Sequence, residues 1–452
     1  VLGNLIISPD ELSYLRKTCT FLNDTYLDFL RSFRLQPSKH IQHFFHISDD
    51  TGNDNDLGEL SIRISGTWLE TILYEVPLLA LTSEAYFKFC DQDWNYDSQV
   101  EKAFSKGKRL LEHGCVFSEF GTRRRRDYKT QDLVVQGLVK AASTGSTSGW
   151  PGSLNGTSNV HFAMKYEIPP VGTVAHEWIM GIASITNDYE HANETALRYW
   201  VGCFGPGVLD IALTDTFGTP IFLKAFRRVM PNLEEANEDA NSTRIPETLP
   251  PPIRAINGFT KSGDSHVFTH SSPVKPGAEG KSYAQIFAGV RQDSGDPKEF
   301  VNLMRRFYDS EGIHEKKTMV FSDSLNVDRC LEYKRAAEEA GFFPTFGIGT
   351  FFTSAWENMI PDNFWANSNT DDFTHVSDGK RSIPLNIVIK LSSANGSPAI
   401  KISDNVGKNT GDSATVHKVK ASLGYVENTW GNGDETIRWG NGDDMTKASR
   451  RH

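Results

Sequence analysis

Residues Val290-Arg291-Gln292-Asp293-Ser294-Gly295-Asp296-Pro297 form the densest polar cluster in the chain. Arg291 can grip a phosphate or a carboxylate through two parallel N–H bonds. Asp293 and Asp296 can hold ribose hydroxyls or Mg2+, an ion that takes oxygen ligands and keeps several waters. Asp296, placed just before Pro297, is equally suited to cap a helix, and the two roles are compatible. Residues 321–326 repeat the design: Asp323 can accept from a ribose while Ser324 or Asn326 caps the next helix. In Phe346-Gly347-Ile348-Gly349-Thr350, bare backbone amides can approach a phosphate closely. His176 is a candidate base, or a nucleophile that accepts a phosphoryl group, although a lone histidine is more often a satisfied structural residue. Glu177 orients that ring only if the chain turns there.

A second cluster follows an apolar run: Phe117-Ser118-Glu119-Phe120-Gly121-Thr122, then Arg123, Arg124, Arg125 and Arg126. The chain carries a net charge of −10, so this run is not part of a basic background. Guanidinium groups suit phosphate, and a turn opening a helix adds free N–H donors. The plainer reading is a solvated helix start paired with nearby acids.

These residues need a scaffold that brings them together. From residue 115 onward, short apolar runs alternate with helical patterns. The runs are 116–120, 153–158, 172–176, 208–215, 286–293, 318–323, 344–349 and 385–391. Helices are expected over 127–142, 188–204, 297–312 and 326–341. Eight strands with intervening helices imply a parallel sheet and fit a closed α/β barrel. Arg123, Ser158, His176, Asp215, Asp293, Asp323 and Gly349 all fall at or past the C-terminal ends of these runs. A barrel gathers those ends at one mouth, whereas an open sheet spreads them along an edge, so the barrel is the better account.

Residues 1–110 mix helix and strand and make up an N-terminal domain. It has a capped helix start at Ser8-Pro9-Asp10-Glu11, strands near 44–48 and 60–65, and a helix pair over 68–89 broken at Pro77. Residues 111–392 are the barrel domain. It is interrupted at 230–280 by a segment holding seven of the 20 prolines and an acidic patch, expected to be a disordered loop, inert or regulatory. Residues 393–452 complete the mixed domain and end in a tail with two Trp-Gly-Asn-Gly-Asp copies.

Composition bounds the function. With 38% hydrophobic and 23% charged residues the chain is an ordinary globular one, and it has no apolar run long enough to span a membrane. The acidic balance argues against a nucleic-acid partner. Five scattered cysteines, none in C-x-x-C spacing, point to free thiols in a reducing compartment. The first residue is Val1, so the sequence is expected to be a fragment, and targeting information can be lost with the missing start.

The segments Gly66-Thr67-Trp68, Tyr74-Glu75-Val76-Pro77, 117–126, 154–159, 172–178, Leu213-Thr214-Asp215, 290–297, 321–326, 346–350, 384–390 and 401–408 run in one order over nearly the whole chain. In this the sequence resembles the nicotinate phosphoribosyltransferase family, of the eukaryotic, ATP-coupled type. The resemblance implies an irregular α/β barrel with a mixed α+β domain built from both chain ends. It implies phosphoribosyl transfer from 5-phosphoribosyl 1-pyrophosphate to nicotinate in NAD biosynthesis, with ATP as co-substrate and Mg2+ as cofactor. His176 matches the histidine phosphorylated by ATP. Phe120 matches an aromatic packed on the pyridine ring, and Arg123 an arginine near the base carboxylate. Ser158 stands where the nicotinamide-using relative has an aspartate, and a hydroxyl there does not repel nicotinate. Arg291, Asp293 and Asp323 match residues lining the ribose-phosphate site, with a Mg2+ site near Asp293 and Asp296. Gly347, Gly349 and Thr350 match the 5′-phosphate loop. A homodimer and a cytoplasmic location, extending to the nucleus, go with this reading. The family's early Asp-x-Tyr-Lys segment has no counterpart here. The competing readings are a nicotinamide or quinolinate enzyme of the same fold, and an impaired ligand-binding remnant.

Overall fold

Apolar runs buried on both faces are what a parallel sheet requires, and such runs build the centre of this protein. In the computed structural model, which describes residues 2–48, 52, 58–230, 280–353, 384–385, 387–405 and 409–425, six of them form one sheet. They are β3 (Val116–Glu119), β4 (Ser153–Thr157), β5 (Ile211–Leu213), β6 (Gly289–Gln292), β7 (Thr318–Phe321) and β8 (Phe343–Ile348). The strand order is β4-β3-β8-β7-β6-β5 and every pairing is parallel. Phe117, Val290, Met319, Phe321 and Ile348 are wholly buried. Each is worth about 1.5–3 kcal/mol relative to exposure.

The intervening helices begin where the sequence supplies caps. Asp127 accepts from Thr130 N (2.7 Å) at the start of the helix Tyr128–Ser148. Asp296 accepts from Lys298 N (2.8 Å) and Glu299 N (2.9 Å) at the helix Pro297–Ser310. Asn326 accepts from Arg329 N (2.8 Å) at the helix Val327–Glu339. These side chains satisfy amides that the first helical turn leaves without partners.

Two expected strands form no ladder. Over 172–176 the chain is irregular and a helix, His176–Thr186, starts at the histidine itself. Pro169 and Pro170 precede it, and proline cannot donate to a ladder. Only one bridge forms here, Thr157 with Pro170. The described part of 385–391 also lacks ladder pairing. The sheet edges β4 and β5 are therefore not joined by strand hydrogen bonds among the described residues. The segment 169–174 spans the gap: Val171 N donates to Thr157 O (2.9 Å), and Arg291 of β6 donates to Thr173 Oγ1 (2.6 Å). The architecture is the irregular α/β barrel.

In the N-terminal part, β1 (Ile41–Ile47) and β2 (Gly58–Ile64) form an antiparallel ribbon. Ser8 and Glu11 make a reciprocal capping box at the helix Pro9–Thr18. The break expected at Pro77 lies earlier, in a 3-10 turn at Ile72–Tyr74. Pro77 sits in the first turn of the helix Glu75–Phe89, where its missing N–H is unneeded. Ile400, Ile402, Val416 and Val419 pack against Ile179, Ile182 and Ile221 of the barrel helices and against Phe217 in the loop after β5. Residues 231–279 of the proline-rich insertion and the Trp-Gly-Asn-Gly-Asp repeats lie outside the described residues. No helix among those described is long and apolar enough to cross a membrane, and the five cysteines are free.

Candidate functional site

The turn from the 169–174 segment into a helix places His176 at the first helical position, with its ring 7% exposed. Thr216, just past β5, meets Nδ1 at 3.0 Å. Nε2 lies 2.9 Å from both Asp293 Oδ2, past β6, and Lys401 Nζ. Lys401 is a donor only and ionised Asp293 an acceptor only, so the two compete for Nε2. With the proton on Nε2 the ring donates to Asp293 and Nδ1 accepts from Thr216. In the other tautomer Nε2 accepts from Lys401 and Nδ1 donates to Thr216. Burial pushes the imidazole below its ordinary pKa, and Lys401 adds to this against the pull of Asp215 and Asp293. A neutral ring keeps one nitrogen lone pair for nucleophilic attack.

Around the ring the charges balance. Lys401 Nζ lies 3.0 Å from Asp215 Oδ2 and 3.8 Å from Asp293 Oδ2. Burial acts to raise both carboxyls. Lys401 and then His176 outweigh it at Asp215, and Arg291 with His176 and Lys401 at Asp293, which sits well below the usual carboxylate range. Burial acts to lower Lys401, and Asp215 and Asp293 hold it above its ordinary value. Lys401 is fixed by its backbone: Lys401 N donates to Thr410 O (3.0 Å) and Ile402 N to Thr216 O (2.7 Å).

Arg291 and Asp293 are brought to the histidine as expected, but Arg291 acts as a brace. It donates to Thr173 Oγ1, to Val174 O (3.3 Å) and to Asp293 Oδ1 (3.1 Å). Ser322 Oγ donates to the same carboxylate oxygen (2.9 Å). Asp323, next to it past β7, is half-buried and accepts from Ser324 Oγ (3.0 Å). Glu177 does not orient His176 although the chain turns there. It accepts instead from Trp68 Nε1 (2.7 Å), whose ring stacks on Trp178.

The ligand atoms of His176, Asp215 and Asp293 lie within 4.8 Å of one another, and Asp215 Oδ1 is buried without a hydrogen-bond partner. A cation already stands between these carboxylates, however. A divalent ion there would face the Lys401 ammonium, while Asp296 caps its helix through Oδ1 alone. The cluster of His176, Asp215 and Asp293 does not fit a resident Mg2+ beside that ammonium.

The four arginines have four fates. Arg123 is 42% exposed and 3.8 Å from Glu75 Oε1. Arg124 donates to Ile387 O (3.4 Å). Arg125 donates to Glu84 Oε1 through Nε (2.9 Å) and Nη2 (2.6 Å). Arg126 is buried over the Phe87 ring, 4.4 Å from its centroid. Burial lowers its pKa to about 10. Arg123 is more exposed than Arg125 and Arg126, which are held by Glu84 and the Phe87 ring. Burial holds Lys390 below its ordinary pKa, and it interacts electrostatically with Lys401, Asp293 and Arg123, so it lies between the arginine loop and the histidine cluster in the charge network.

Phe120, at the end of β3, packs on Gly347 of β8; a Cβ on that glycine would lie 2.6 Å from the Phe120 ring. A Cβ on Gly349 would lie 2.9 Å from Phe120 O. The glycines thus seat the aromatic residue, and Thr350 opens the short helix Thr350–Thr353 beyond them. Ser158 is exposed past β4, and its N–H donates to Glu119 O (2.8 Å). Gly347→Ala should force the ring aside. Overpacking of this kind costs about 1–3 kcal/mol, which thermal unfolding will read as a lower midpoint.

Lys401, Thr216 and Asp215 complete the site and were not among the expected site residues. Asp215 was visible as a polar residue at a strand end. Lys401 carried one signal, a charge inside the apolar run Ala399-Ile400-Lys401-Ile402.

Comparison with known proteins matches this arrangement to one family. The model for the nicotinate phosphoribosyltransferase (NAPRTase) family covers residues 115–233 and 267–427, and that for its N-terminal domain covers residues 1–83. Nicotinate phosphoribosyltransferase of Saccharomyces cerevisiae is 41% identical over 442 residues, 97% of this chain and 86% of that protein. The Methanosarcina mazei nicotinate phosphoribosyltransferase is 32% identical over 91% of this chain and 82% of its own length. A crystal structure from Saccharomyces cerevisiae aligns with a TM-score of 0.74 at 40% identity, covering 94% of this chain and 86% of that one. The Porphyromonas gingivalis nicotinate phosphoribosyltransferase structure gives 0.67 at 27% identity, with 94% and 86% covered. With both its end segment and its barrel matched in sequence and in fold, the chain belongs to the nicotinate phosphoribosyltransferase family.

Proposed function

We propose that this protein transfers the phosphoribosyl group of 5-phosphoribosyl 1-pyrophosphate to nicotinate, giving nicotinate mononucleotide and pyrophosphate for NAD salvage, and that ATP drives the reaction by phosphorylating His176. The observation that carries the reading is the buried, neutral His176 between Thr216, Asp293 and Lys401. A lone pair on the ring attacks the γ-phosphorus of ATP; an N–P bond forms, the P–O bond to ADP breaks, and ADP leaves as the anion. Water later hydrolyses the phosphohistidine. Lys401 offsets the added negative charge within hydrogen-bond reach of the ring.

At the anomeric carbon the bond to pyrophosphate breaks as the nicotinate nitrogen bonds, through a sugar carrying positive charge. Phe120 packs on the base, and Arg123, still half-exposed, is available to its carboxylate. The phosphates of the two substrates would carry Mg2+ as their counter-ion, which would supply charge neutralisation to the departing pyrophosphate. Arg291, Asp293 and Asp323 organise the ribose-phosphate side, with Gly347, Gly349 and Thr350 at the 5′-phosphate. The enzyme acts as a homodimer in the cytoplasm and nucleus, a placement in keeping with its free thiols.

The test is product formation from nicotinate, nicotinamide and quinolinate, each with and without ATP. Turnover of nicotinate, stimulated by ATP, is expected; preference for either other base overturns the assignment. Ser158→Asp should raise the KM for nicotinate about tenfold by placing a carboxylate near that of the substrate.

A further inference from the structure

Glu119 is a deeply buried carboxylate, 1% exposed, for which the reaction above has no use. It closes β3, immediately before Phe120. Its Oε1 accepts from Gly121 N and from Gln131 Nε2 (3.1 Å), and its Oε2 from Thr157 Oγ1 (2.6 Å) and again from Gln131 Nε2 (3.1 Å). Its main-chain carbonyl accepts from Ser158 N. Gln131 Nε2 also reaches Thr122 Oγ1 (2.8 Å), which in turn accepts from Asn159 Nδ2 (3.1 Å). One side chain therefore ties the loop bearing Phe120 and Arg123 to the loop bearing Ser158.

All its direct side-chain partners are neutral donors. Burial pushes the Glu119 carboxyl up, and the bonds from Thr157, Gly121 and Gln131 pull against it. A carboxylate suits the position because it alone offers acceptors at both oxygens. An amide would turn an NH2 toward donors on one side. Burying such a group is costly unless it is fully hydrogen-bonded, and here it is.

We infer that Glu119 is a positioning residue for base recognition: by holding Gly121 and Thr157 together it sets the spacing between Phe120, Arg123 and Ser158, and with it the fit of a flat heteroaromatic carboxylate. The inference rests on the proposed reaction and deepens it.

Steady-state kinetics of the full chain with both substrates varied is the test. Glu119→Gln should raise the KM for nicotinate about tenfold, leaving the KM for phosphoribosyl pyrophosphate within about twofold, because one amide N–H then faces a donor inside the buried network. Thr157→Val should reproduce the split, and Thr157→Ser, which keeps the hydroxyl donor, should return both KM values to those of the wild type. This pair keeps the test open if Glu119→Gln fails to fold. Equal loss of both substrates, or no change in either KM, overturns the inference with the reaction intact. Wild-type protein that fails to turn over nicotinate removes the reaction itself.

Discussion

His176→Ala is expected to abolish transfer of the ATP γ-phosphate to the protein and to leave ATP-independent formation of nicotinate mononucleotide, slowed about a hundredfold or more relative to the coupled rate. The ring is the one uncharged nitrogen nucleophile in the cluster, since the Lys401 amine is held as an ammonium. Thr216, Lys401 and Asp293 orient it but cannot replace it. Trapping the acid-labile phosphoprotein with labelled ATP, then assaying product with and without ATP, separates the two effects. Equal loss under both conditions would show that His176 serves the transfer itself and not its coupling. The pH dependence carries a sign. Burial holds the imidazole below its ordinary value of 6.5, so the ring is already neutral there. Phosphorylation should therefore decline with acid at a lower pH than the titration of a free imidazole would impose.

Lys401→Ala should cost stability as well as coupling. Removing one partner of a buried ion pair leaves an uncompensated charge, at about 3–5 kcal/mol. In the wild-type protein Asp215 lies below the ordinary carboxylate value despite burial, because Lys401 and His176 favour its charged form. Its contribution is therefore complete above that ordinary value and is lost as the pH falls through the folded one. In the variant burial prevails, and the folded carboxyl titrates above its unfolded value. Acid then stabilises the variant relative to the wild type. Denaturant unfolding at about pH 7 and about pH 5 should show the gap between the two proteins narrowing at the lower pH. A gap that is constant with pH would mean that Lys401 acts through packing alone.

Much of this molecule is legible in order along the chain. β3, β6, β7 and β8 each carry apolar residues that the sheet buries, such as Phe117, Val290, Met319 and Ile348, and the polar residues at their ends mark the mouth. Ser8, Asp127, Asp296 and Asn326 cap helices by bonds to amides two or three residues on, so local sequence suffices to predict them. The run 172–176 misleads for an equally local reason. An apolar stretch reads as a strand, but two prolines and the helix starting at His176 deny it a ladder.

Composition and pattern alone determined the class of fold, the strand ends and the residue types available for phosphate and ribose. Tertiary structure decided which of them act together. Four consecutive arginines diverge because a 3-10 turn aims neighbouring side chains in different directions, one of them into the Phe87 face. Lys401 reaches His176 across 225 residues of sequence, and Asp293 across 117. No local rule of spacing reports such contacts. They arise only when the fold gathers the strand ends together and burial makes each unpaired charge too costly to leave alone.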